Sequence, residues 1–205
     1  MKQLNFLFAL LISSAALAGG QDGSGGNVCL TNTLQLVSLE EVQYPMDSIS
    51  QELSKPILSS TYADLMQTRA GRLALKSIRA YGEQHPELSS ELMTLFARFM
   101  EVKVREHVIA GAREADTTGI HHKCLPGTTQ AVLFTSKDGN ISVNRTAWNQ
   151  MRVGSQHVLL VHETLRLLQV LTPMGERLDN ASLQKLTVAI VEGKPMSNAL
   201  YKIFE

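Results

Sequence analysis

Residues 155–171 read SQHVLLVHETLRLLQVL. Set at 100° per residue, Val161, Leu165 and Leu168 fall together, with Leu160, Leu167 and Leu171 beside them. His162, Glu163, Arg166 and Gln169 gather within about 120° on the remaining side. Ser155 can cap this helix and Pro173 stops it. So much aliphatic surface on one helix needs other elements packed against it. The neighbouring sequence supplies them.

Downstream, a second helix is expected over 181–192, with Asn180 as its cap and Gly193 beyond its end. Pro195 then suits the first turn of a short terminal helix. Upstream, AVLFTSKDGNISV at 131–143 flanks Asp138-Gly139 with β-branched and aromatic residues, which reads as a β-hairpin. Earlier still, residues 60–83 place Leu65, Met66, Ala70, Leu73, Ala74, Ile78 and Tyr81 at helical spacing. His85-Pro86 interrupts, and from Glu87 the period resumes with Leu88, Leu92, Leu95, Phe96, Phe99 and Val102. Two amphipathic helices joined by a short turn predict an antiparallel helix hairpin. Arg98, Glu101, Lys103, Arg105 and Glu106 are expected on its solvated face. Residues 28–42 read as a short strand or helix that ends before Pro45. Residues 114–129 lose periodicity and read as a loop. The expected fold class is α+β, predominantly α-helical, in a single domain over 28–205.

The chain opens MKQLNFLFALLISSAALA. One cation, a short apolar run and the small-x-small Ala16-Leu17-Ala18 form the layout of a cleavable secretory signal over 1–18. The apolar run is too short to span a bilayer, and no later run approaches the roughly eighteen apolar residues a span requires. Residues 19–27, GGQDGSGGN, carry five glycines and read as a flexible leader. Lys2 falls within the signal, so 18 of the 19 basic residues remain against 19 acids, a net charge near −1. The basic residues are scattered, which speaks against a nucleic-acid partner. The two cysteines, Cys29 and Cys124, are expected to form a disulfide in an oxidising compartment.

A hairpin followed by a helix with His162-Glu163 resembles the active-site unit of zinc metallopeptidases. In that family HExxH supplies two metal-binding histidines at i and i+4 and a water-activating glutamate. Here the pentad ends in Arg166, a guanidinium that repels a dication. His157 lies about 140° around the helix from His162 and is no substitute. The simpler reading is a structural polar stripe. Glu163 and Arg166 would pair at i, i+3 if exposed, or rely on neighbouring groups if covered. His121 and His122 are the other candidate ligands. Cys124 beside them is already assigned to the disulfide.

Gly25-Gly26-Asn27-Val28-Cys29, followed by a helix pair, a hairpin and a late HExxR helix, is similar to uncharacterised exported proteins of predatory bacteria. The resemblance implies a bacterial periplasmic or secreted setting and a shared role for His162 and Glu163.

Three functions compete. The leading expectation is an exported, non-catalytic, envelope-associated binding or interaction module with no cofactor and a protein or envelope partner. The alternative is a divergent zincin-like metallohydrolase. It would use zinc on His162 with His121 or His122, Glu163 as base, and Arg166 as substrate-carboxylate or oxyanion partner. The third is a partner surface on residues 60–114, where Met93 and Met100 would be adaptable apolar contacts rather than core.

Overall fold

The computed structural model describes residues 26–54, 61–99, 104–106, 124–125, 128, 130–135, 141–171, 178–198, 200 and 202. The signal, most of the leader, His121, His122 and Met100 lie outside the described residues.

The chain enters through β1 (Gly26–Leu30), turns into β2 (Leu36–Ser38) and continues as α1 (Leu39–Gln43). Ser38 starts α1 through a capping box, accepting from the Glu41 amide while the Glu41 carboxylate accepts from the Ser38 amide. β1 takes in Gly26 and Asn27, the last two residues of the expected leader.

The helix expected over 60–83 is two helices, α2 (Tyr62–Gln67) and α3 (Arg69–Gln84). Thr68 makes the break: its hydroxyl donates to the Leu65 carbonyl at 2.6 Å and accepts from the Gly71 amide at 3.0 Å. A Cβ on Gly71 would stand 2.3 Å from the Leu65 carbonyl oxygen, so the turn requires glycine. The apolar period runs straight across this turn, which is why periodicity alone joins the two helices. α4 (Pro86–Phe99) completes the expected helix pair after the break at His85.

β3 (Val104–Glu106) corrects the reading of Arg105 and Glu106 as part of a helical charged face. β4 (Gln130–Thr135) and β5 (Ile141–Val143) pair antiparallel, as the hairpin signal predicts. The hairpin is only part of a five-stranded sheet ordered β2-β1-β4-β5-β3, antiparallel except for the parallel β3–β5 edge. α5 (Arg145–Gln150) follows, capped by Asn144. α6 (Val153–Leu171) is the long helix, and α7 (Asn180–Glu192) is capped by Asp179 rather than Asn180. Gly193 ends α7 in the left-handed conformation at φ 62°.

The fold is a mainly helical α+β domain. α6 runs through its middle, with α3, α4 and α7 packed against it and the sheet strands β1, β2 and β4 on another side. Leu159, Leu160, Val161, Leu165, Leu167 and Leu168 are all buried in one large core with Tyr62, Leu92, Trp148 and Leu186. A small satellite core contains Cys29, Leu39, Val42 and Cys124, with Val37 against it. The expected disulfide is present at its centre, joining residues 95 positions apart with Cα atoms at 5.6 Å. Among the described residues, no helix is long and apolar enough to cross a membrane.

Candidate functional site

The polar stripe of α6 faces protein. From Ser155 to Leu168 every residue of the helix is buried, so an exposed Glu163–Arg166 pair is ruled out by the packing. The N-terminal segment supplies the cover. Glu163, fully buried, accepts the Gly26 amide of β1 at 2.5 Å. A Cβ on Gly26 would lie 3.0 Å from Leu159 Cδ2, 3.1 Å from the Leu133 carbonyl and 3.3 Å from Glu163 Oε1. Glycine at this position lets the backbone reach the carboxylate. Beside it, His162 Nδ1 lies 2.6 Å from Glu40 Oε1 of α1, with both side chains buried.

Arg166 donates to Gln169, whose amide nitrogen in turn donates to the Leu178 carbonyl. Its positive charge still acts on Glu163 as one of several influences. Burial pushes the Glu163 carboxyl above the usual carboxylate range. His162, the Thr135 hydroxyl, the Gly26 amide and Arg166 pull the other way. Glu41 behaves similarly: burial raises it, while its hydrogen bonds with Ser38 and the influence of the nearby Ser155 hydroxyl oppose the rise. Thr164, also on α6, shares a 2.5 Å hydrogen bond with Tyr62 and donates to the Leu160 carbonyl.

His157 lies elsewhere on the helix, with Nε2 3.1 Å from the Ser77 hydroxyl of α3. Burial lowers its pKa to about 4, so the ring is neutral at physiological pH.

His162 and Glu163 are thus together, and Arg166 is close enough to influence Glu163. Among the described residues, no group of three or more His, Cys, Asp or Glu side chains could hold a metal ion. At the position of a second helical ligand, Arg166 presents a donor engaged with Gln169. The described residues therefore do not form a zincin ligand set. A cavity of about 230 Å³ lies between α3 and α4, lined by Ile78, Arg79, Glu83, Ser89, Leu92 and Met93; no stripe residue lines it. Met93 is 48% exposed, so it lies outside the core.

Glu40 is the residue that the reading of α6 misses. The signal for α1 is present in Ser38-Leu39-Glu40-Glu41, a capping-box pattern. Its pairing with His162 is a tertiary contact with no local signature. No family model, curated protein or solved structure matches this chain.

Proposed function

We propose that the mature protein is an exported, non-catalytic binding or interaction module of the cell envelope. One observation carries the non-catalytic part: the Glu163 carboxylate is fully buried and holds the β1 backbone through Gly26. A general base must reach the water or substrate proton it removes. Here β1 occupies that approach. The signal-like first eighteen residues and the disulfide support the setting.

A second reading, the zincin-like hydrolase, draws support from the Glu40–His162 contact. Metal-bound histidines commonly direct the other ring nitrogen to a carboxylate, and Nδ1 of His162 faces Glu40 in that manner. Elemental analysis of protein recovered from its native compartment separates the two. The binding-module reading expects no stoichiometric metal in wild type. An equimolar metal that disappears in His162→Ala overturns it in favour of the hydrolase.

A further inference from the structure

The N-terminal unit from β1 to α1 places Val28 and Leu36 in the main core. Beyond that it is attached to the rest of the molecule by three kinds of contact whose strengths differ. The first is the β1–β4 ladder. It pairs Gly26 with Leu133, Asn27 with Ala131 and Val28 with Gln130, and its register shifts between Gly26 and Asn27. A ladder this short and irregular is a weak anchor. The second is polar: Gly26 to Glu163 and Glu40 to His162. Burying carboxylates costs desolvation that roughly cancels such contacts, so they set geometry more than they add net stability. The third is the disulfide, seated in a satellite core of its own and reinforced by the Thr31–Cys124 bridge and the Leu125 amide on the Leu30 carbonyl. Closure of a 95-residue separation is the strongest net constraint of the three.

We infer that residues 26–43 form a disulfide-latched clasp, docked over the His162–Glu163 stripe of α6 only once Cys29 and Cys124 are joined. The helices keep packing partners of their own when the clasp is undocked, because α3, α4 and α7 contact α6 directly. In the dithiol form β1 leaves the sheet, β4 gains a free edge and Glu163 meets water. An open strand edge invites pairing with other chains, and the latch removes that hazard. Closure proceeds by thiol–disulfide exchange with an oxidised dithiol carrier. One cysteine thiolate attacks the carrier disulfide and expels a carrier thiolate. The second cysteine thiolate then displaces the carrier from the mixed disulfide. Cys29–Cys124 forms, and the carrier departs as its dithiol carrying the two electrons.

The test compares the oxidised mature chain, the same chain in excess dithiothreitol, and the Cys29→Ser/Cys124→Ser variant. Backbone hydrogen exchange is read by mass spectrometry, and carboxyl groups are labelled with a carbodiimide and glycine ethyl ester. Without the disulfide, amides in 26–30 and 36–43 are expected to exchange at least about a hundred-fold faster, while α6 and α7 change by less than about three-fold. Glu163 becomes labelled only without the disulfide. Two results overturn the latch. Either the clasp keeps its protection and Glu163 stays unlabelled, or α6 and α7 lose protection together with the clasp. A double variant that fails to fold belongs to the second result.

Discussion

The helices around α6 and the N-terminal unit from Gly26 to Gln43 are held by different chemistry. Between α3, α6 and α7 the contacts are mainly aliphatic and aromatic, with Leu165, Leu168, Ile78 and Leu186 all in one continuous core and the His157–Ser77 pair a polar exception. Burial of such side chains is worth about 1.5–3 kcal/mol each. The N-terminal unit inserts Val28 and Leu36 into that core, and otherwise depends on a short ladder, buried carboxylates and the disulfide. The first region is stabilised by water leaving apolar surface and is insensitive to register. The second requires particular donors to meet particular acceptors. Hydrophobic packing sets the frame, and polar pairing places one strand and one helix upon it.

The largest effect expected in the helical region comes from Leu165→Ala. Truncating a fully buried leucine removes its transfer energy and leaves a cavity, at about 2–5 kcal/mol. Urea unfolding should show the loss, and hydrogen exchange should accelerate in helices and clasp alike, because the clasp rests on the core. Loss confined to residues 26–43 would invert the proposed dependence.

Acid should separate the regions next. His157 between α6 and α3 titrates near 4 when folded but near 6.5 when unfolded, so its contribution is fully present above about 6.5. As pH falls the unfolded chain binds the proton first, and up to about 3 kcal/mol is lost between roughly 6.5 and 4. Glu163 and Glu41 act in the opposite sense. Their folded carboxyls lie above the unfolded value, so each takes up its proton in the folded state first and favours folding as pH falls towards that value. His157→Gln should flatten the acid loss in urea titrations at pH 7 and pH 4.5. An unchanged pH slope in that variant would assign the acid response to other groups.

The smallest of these effects tests the clasp alone. Gly26→Ala places a methyl group 3.0 Å from Leu159 Cδ2 and 3.1 Å from the Leu133 carbonyl. Leu159 can shift but a strand carbonyl cannot do so freely, so a cost of about 1–3 kcal/mol is expected. Faster exchange in 26–30 with unchanged α7 protection would mark the damage as local. Equal acceleration in α7 would show that the two regions unfold as one.

Much of this arrangement is legible in local sequence. Periodicity finds α4, α6 and α7 to within a few residues and the end of α3, though it joins α3 to α2, and Asp138-Gly139 marks the β4–β5 hairpin. Thr68 is less legible, because an apolar period continues across the turn it caps. β3 is three residues long and takes its partner from β5, so no pattern within Val104–Glu106 separates it from the end of α4. At the candidate site the helical wheel groups His162, Glu163 and Arg166 correctly on one side. It does not say what covers that side, since a wheel relates residues of one helix only to each other.

The sequence by itself determined the helical character, the position of α6, the cysteine pairing and the departure from HExxH at Arg166, because each follows from spacing, residue chemistry or an even cysteine count. Tertiary structure alone decided that Glu163 binds an amide 137 residues away and that Glu40 meets His162. Those contacts depend on β1 lying between β2 and β4, a matter of strand order and burial. Neighbouring residues settle local conformation through their own dihedrals and caps. Which distant polar group a buried carboxylate meets is settled only when the whole core closes around it.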